Sequence, residues 1–208
     1  MQTTKILEML NSGKIEELKT TLQDEIYQES LRKNPSAKKR YSAMKRYLKT
    51  ISESRPFITK PCDVEFEGKK YISFTNSYSL ALTTESCGEI EKCDEPDRYP
   101  NVTRLIKFEG DANKVDFNKV LAEAKSKGYK FTKNAIHSNE YLMFYNGAYF
   151  RMALVDITYG ILNDGKEIDV YFGGKLRPMT IQNDIGVGII LPIRHDNNDL
   201  TDSTIVNA

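Results

Sequence analysis

The sequence predicts an α+β fold: antiparallel sheets with amphipathic helices packed on one face. Three observations lead there. Apolar residues recur at spacings of three and four in segments before residue 52, around 117–124 and over 150–161. Short alternating or continuous apolar runs, bounded by Gly, Asn and Asp, fill much of the rest. The 208 residues are 39% hydrophobic and 28% charged, enough for a core in one large domain or two small ones.

Residues 3–30 read as two short helices. Ile6, Leu7 and Leu10 form the first apolar cluster, and Ile15, Leu18, Leu22 and Ile26 the second, with Asn11-Ser12-Gly13 as the break. From Arg32 to Lys49 the chain carries Arg32, Lys33, Lys38, Lys39, Arg40, Lys45, Arg46 and Lys49 without an acid. Pro35 suits a helix start and Ser36 a cap. Ala37, Tyr41, Met44, Leu48 and Ile51 then form one apolar stripe, so the cations take the opposite face. That face is either solvated or a surface for a polyanion; eight uncompensated cations on a chain of net charge +1 favour the polyanion, and a phosphate backbone is the obvious one.

Arg55-Pro56 ends the helix. Asp63–Phe66 and Tyr71–Leu82 make a hairpin around Glu67-Gly68-Lys69-Lys70. Residues 83–97 are polar and acidic, a loop or domain junction. Val102–Phe108 reads as a strand. Asp116 caps a helix bearing Phe117, Val120, Leu121 and Ala124, with Lys119, Lys125 and Lys127 on its other faces and Gly128 as its stop. Tyr141–Tyr145 is strand-like. Asn146-Gly147 opens a third helix, with Phe150, Leu154, Ile157 and Ile161 on one face; its sparse charges, Arg151 and Asp156, mark it as buried. Glu167–Phe172, Met179–Gln182 and Val187–Ile193 are strands, and the polar tail from His195 frays.

No stretch is long and apolar enough for a membrane span, and MQTTKILEMLNSGKIEELK carries charges unlike a signal peptide. Cys62, Cys87 and Cys93, odd in number and without CxxC spacing, suit reduced thiols in a cytoplasmic protein. No nucleophile–base pair, phosphate loop or metal spacing is present, and Gly186-Val187-Gly188 reads as a glycine-relieved strand. His137 and His195 are isolated. Asp94, Glu95 and Asp97 are the one set that could hold magnesium, as a nuclease would need, against the reading of a solvated acidic linker. The expectation is a protein that binds, without cofactor or catalytic residues.

Three stretches in order carry a family resemblance. Arg55-Pro56-Phe57, Phe66-Glu67-Gly68-Lys69 and Thr75-Asn76-Ser77-Tyr78-Ser79-Leu80-Ala81 form the first. Tyr99-Pro100-Asn101-Val102-Thr103-Arg104-Leu105-Ile106 is the second. Asn146-Gly147-Ala148-Tyr149-Phe150-Arg151-Met152-Ala153-Leu154 with Leu191-Pro192-Ile193-Arg194 is the third. Together they resemble the middle and last domains of the bacterial DNA polymerase III beta sliding clamp, over roughly residues 37–195. Asn76, Ser77 and Ser79 stand where the family's motif has Asp, Gly and Arg; the family's first domain has no counterpart, and the second half of its middle domain is missing at the acidic loop.

The resemblance implies a clamp-like fold: residues 1–34 a helical extension, 35–97 a partial clamp-like domain, 98–195 a last-domain-like region and 196–208 a flexible tail. It implies sequence-independent duplex DNA binding through Lys38, Lys39, Arg40, Lys45, Arg46, Lys49, Lys119, Lys125 and Lys127. It implies a hydrophobic cleft of Thr75, Tyr78, Leu80, Pro100, Arg104, Leu105, Ile189 and Leu191 for a polymerase or clamp-loader peptide, positions that could equally be sheet core. A reduced clamp, phage- or mobile-element-encoded, would be a homo-oligomer; a non-ring protein competing for or recruiting clamp partners is the alternative.

Overall fold

The computed structural model describes residues 9–52, 54–194 and 200–208. Ile6, Leu7 and His195 lie outside the described residues. The chain divides into two compact units, Met1–Lys38 and Lys39–Ala208.

In the first unit, residues 9–11 are helical, Gly13 turns the chain at φ 71°, and helix α1 runs Ile15–Lys33. Glu16 and Glu17 in its first turn, with Arg32 and Lys33 in its last, suit the helix dipole. Of the expected stripe, Leu18 is buried, while Ile15 and Ile26 stand 63% and 69% exposed. Helix α2, Pro35–Leu48, crosses the division between the units. Its cap is Asn34 rather than Ser36: the Asn34 Oδ1 accepts from the Ala37 amide at 3.1 Å, and Pro35 takes the first helical position.

The second unit holds two sheets. The larger has seven strands in the order β1-β2-β3-β9-β8-β7-β4, every neighbour antiparallel. These are β1 Cys62–Phe66, β2 Lys69–Thr75, β3 Ser79–Thr83, β4 Asn113–Val115, β7 Ile168–Phe172, β8 Met179–Asn183 and β9 Gly186–Ile190. Glu67 and Gly68, at φ 51° and 73°, form the hairpin turn between β1 and β2, two residues long rather than the four expected, because Lys69 and Lys70 pair with Phe66 and Glu65. The expected second strand is two strands, because Asn76-Ser77-Tyr78 turns the chain; the Asn76 Oδ1 accepts from the amides of Tyr78 and Ser79. Pairing of β3 with β9, Leu80 opposite Ile189, runs the sheet unbroken past the boundary expected at residue 97.

The smaller sheet orders β10-β5-β6, with β5 Tyr141–Tyr145, β6 Ala148–Arg151 and β10 Thr204–Asn207. It departs from expectation twice. Asn146 and Gly147, at φ 45° and 86°, make a hairpin turn into β6 instead of opening a helix. The polar tail ends in a β-branched strand, which pairs parallel to β5, the one parallel pair among the described strands. Val102–Phe108 is no strand either; Thr103–Leu105 forms a single 3₁₀ turn.

Helix α3, Phe117–Ser126, starts at Asp116, whose carboxylate accepts from the Asn118 and Lys119 amides. Helix α4, Met152–Leu162, is buried at all but one of its residues. It lies on the sheet face lined by Gly186 and Gly188, where a Cβ would strike Leu162 and Thr158 of α4. Against α4 pack α2, through Ala43 on Gly160, and α3, through Phe117 on Tyr159 with ring centroids 5.2 Å apart. On the opposite face, Leu80, Leu82 and Ile189 form a cluster with Ile58, Cys62, Tyr99 and Val102. The sheet is thus covered on both faces, by helices on one side and by residues 99–106 on the other.

A Cβ at Gly160 would come 2.8 Å from the Ala43 Cβ. Gly160→Ala should lower stability by roughly 1–3 kcal/mol in urea unfolding. The loss should shrink in an Ala43→Gly background, because the two positions share one contact.

Candidate nucleic-acid interface and peptide cleft

The cations of α2 divide by chemistry. Arg40 is buried; its Nη2 pairs with Glu85 Oε2 at 2.6 Å and its Nη1 donates to the Asn163 carbonyl at 3.1 Å. Asn163 in turn donates to Asn118 Oδ1 at 2.9 Å, which ties α2 through the end of α4 to the start of α3. Arg46 grips Asp156 of α4 with both nitrogens, at 2.7 and 3.1 Å, and stacks over Phe131. The Tyr129 hydroxyl donates to the same carboxylate at 3.1 Å, and burial beside that charge pushes the phenol's pKa up. Arg40 and Arg46, expected as phosphate contacts, are therefore engaged inside the fold. Sequence spacing could not find their partners, which lie 45 and 110 residues away.

The lysines differ. Lys38, Lys39, Lys45 and Lys49 are exposed, and Lys45 lies over the Tyr41 ring at 4.4 Å. On α3, Lys119 and Lys125 are exposed, and Lys119 reaches Asp116 at 3.3 Å while its side chain stays 82% open to water. Lys127 pairs with Glu123 at 2.7 Å and donates to the Ile205 carbonyl of β10 at 2.9 Å, so it holds the C-terminal strand. Lys39, Lys45 and Lys49 on α2 and just past its end, with Lys119 and Lys125 on α3, belong to the two helices that flank α4 on one sheet face.

The expected cleft residues divide as well. Leu80 and Ile189 are cross-strand partners inside the core cluster, and Thr75 is buried with its hydroxyl on the Ser79 carbonyl. Pro100, Arg104, Leu105 and Leu191 are exposed, Leu105 by 56%. Tyr78 is half-buried, accepts from the Leu191 amide through its carbonyl at 3.0 Å, and meets His137 edge to face. The apolar positions left at the surface are therefore Tyr78, Leu191, Pro100 and Leu105, while Leu80 and Ile189 belong to the core.

A cavity of about 400 Å³ lies beside β6 and reaches Ile193 and Arg194. Phe144, Ala148, Tyr149, Leu176 and Ile193 line it, with Lys175 and Arg194 as its charges. The Ile193 amide donates to the Tyr149 carbonyl at 2.8 Å, which anchors the segment to β6. Tyr149 and Ile193 stood in motifs of the sequence; Phe144, Lys175 and Leu176 gave no sequence signal, because a turn and a second sheet bring them together.

The acids of the 83–97 loop meet cations. Asp94 and Glu91 reach Lys60 at 3.4 and 2.6 Å, Glu95 pairs with Arg98, and Lys92 pairs with Asp63 of β1. Among the described residues, no three His, Cys, Asp or Glu side chains are grouped to hold a metal ion, and no helix is long and apolar enough to cross a membrane. The cysteines are free thiols; burial, with the Cys93 thiol beside it, pushes Cys62 up to about 12.

No protein family and no curated protein matches the chain. Among solved structures, it is similar to the DNA polymerase sliding clamp from Bacillus subtilis, at 14% sequence identity and a TM-score of 0.45. The similarity covers 75% of this chain and 63% of the clamp, so the chain spans less than two thirds of that protein's length.

Asp156 is 5% exposed, and Arg46 is its counter-ion. Arg46→Ala should cost about 3 kcal/mol, the lower end for breaking a buried pair, because Arg46 is partly solvated. Arg46→Met with Asp156→Asn should recover most of it, since Asn keeps an acceptor for Tyr129. Chemical denaturation of the three proteins, parent and two variants, checks both expectations.

Proposed function

We propose that this chain is a clamp-like DNA-tethering factor that holds duplex DNA without regard to sequence and docks a partner peptide. The observation that carries the reading is the partition of cations on the helical layer. Arg40 and Arg46 are consumed by carboxylates of the fold, Glu85 and the buried Asp156, while Lys39, Lys45, Lys49, Lys119 and Lys125 remain exposed on helices that share one supporting helix. Lysine is a hydrated point charge on a flexible stem, suited to phosphates met at varied positions, whereas base readout favours the fixed fork of arginine. The surface positions Tyr78, Leu191, Pro100 and Leu105 and the cavity beside β6 support the peptide half of the reading.

A non-ring protein of the same fold, competing for or recruiting clamp partners, is favoured by one feature. The acidic loop binds the start of edge strand β1, with the Cys93 amide on the Pro61 carbonyl at 2.8 Å and Lys92 on Asp63. A strand edge so held is less available to a second copy. Light scattering separates the two: a homo-oligomer supports tethering by encirclement, and a strict monomer supports the competitor.

Fluorescence anisotropy with 30-base-pair duplexes of unrelated sequence tests DNA binding. Affinities should agree within a few-fold and fall steeply with salt. Replacing Lys39, Lys45, Lys49, Lys119 and Lys125 by Glu should weaken binding at least tenfold and flatten the salt slope by roughly one per contacting lysine removed. Equal binding by the variant and the parent protein would sink the reading.

A further inference from the structure

Among the described residues, three arginines are buried or half-buried: Arg40, Arg46 and Arg151. Arg40 has Glu85 and Arg46 has Asp156. Arg151, on β6, has one side-chain partner, the amide oxygen of Asn139, which accepts from its Nε at 3.1 Å. No carboxylate of the described residues lies within ion-pairing distance of it. Burial pushes its pKa down from the ordinary guanidinium value, with Tyr78 close enough to offset part of the effect. A guanidinium drawn out of water without a counter-ion destabilises the fold that carries it. Structural arginines in this chain are given a carboxylate; this one is not.

Its position supplies the explanation. Along β6, Ala148 and Phe150 are buried and Tyr149 and Arg151 are half-buried, so the latter two project from one face. Tyr149 lines the cavity whose charges among the described residues are Lys175 and Arg194, with no acid among the described lining residues. Arg151 stands two residues farther along the strand, about 7 Å away. An extended peptide lying beside β6 covers the same distance in two residues.

We infer that Arg151 is a specificity-determining residue that receives a carboxylate of the partner peptide, two residues from an apolar side chain seated in the Tyr149 cavity. The inference rests on the peptide-docking half of the reading above and narrows it. The occupant is an acidic-apolar segment of a partner protein, matched to three cations and to the side chains of Phe144, Tyr149, Leu176 and Ile193. The neighbouring Tyr78–His137 pair, 5.3 Å between centroids, walls the Arg151 end.

Two measurements test it. The first uses immobilised peptides Gly-Xaa-Ala-Phe-Gly and Gly-Phe-Ala-Xaa-Gly, with Xaa as Asp, Glu, Asn, Gln or Lys. The full-length protein should prefer Asp or Glu over the matching amide by about tenfold in one of the two orientations, the size of a charge-assisted contact. Arg151→Gln should abolish that preference while still binding the amide peptides. Binding without acid preference, or a preference unchanged in Arg151→Gln, overturns the role of Arg151 and leaves peptide docking intact. Failure to bind any peptide, by the parent protein as by a Tyr149→Ser variant, overturns both. The second measurement needs no peptide: Arg151→Gln should raise the melting temperature of the free protein, because it removes an unpaired, half-buried charge and retains a donor for Asn139. A lowered melting temperature would mark Arg151 as a structural residue and overturn the inference.

Discussion

A carboxylate on an otherwise apolar buried helix has to find a cation, and Asp156 finds Arg46. The cost of leaving that charge unpaired inside the protein exceeds most single packing terms, so the contact fixes where α2 lies on α4. Gly160 then allows the close approach through Ala43, and the Arg40–Asn163–Asn118 chain links the same helix to α3. The helical layer is held by polar contacts of long sequence separation placed among apolar ones. Each polar contact accepts few geometries, which makes the layer specific as well as stable. The side chains that remain outside it are lysines, whose stems tolerate exposure and whose charges are available to solvent or to phosphates.

Much of the fold was legible locally. Asp116 and Gly128 bound α3 as a cap and a stop should, and Glu67-Gly68 turns a hairpin at the expected place. The errors share a cause. Asn146-Gly147 is a strong turn signal that serves a hairpin as well as a helix boundary, and Phe150, which fits the helical spacing of Leu154 and Ile157, sits on a strand that runs straight into α4. Val102–Phe108 has the composition of a strand, but its apolar residues cover the face of the β3–β9 pair instead of joining an edge. In each case a short apolar run fits more than one element, and its partner in the fold decides which one forms. The same limit applied to the site. Charge counting along α2 identified a basic helix, yet it could not separate cations with distant acidic partners from cations without one. Arg151 lies in the third resembling stretch, where sequence marks it only as one of two charges in an apolar run; its missing counter-ion is a property of the surroundings that no spacing encodes.

The β3–β9 pair carries a further consequence. Its central residues divide between two requirements. Ala81, Gly186 and Gly188 are small because α4 lies against them, while Leu80, Leu82 and Ile189 are large because they fill the cluster beneath residues 99–106. A one-residue slip would bring leucines against the helix and glycines into the cluster, so register is strongly enforced. It follows that the lysine-bearing helices and the Pro100–Leu105 segment stand on opposite faces of one rigid sheet. Two ligands on opposite faces do not compete for space. A duplex against the helical layer would leave that segment free for a peptide, as simultaneous tethering of DNA and a partner requires. The sheet also offers no sliding element between the faces, since its inner residues are locked by register. Coupling between the two surfaces would then be geometric: the partner is carried wherever the DNA-bound body goes, without either ligand having to change the affinity for the other.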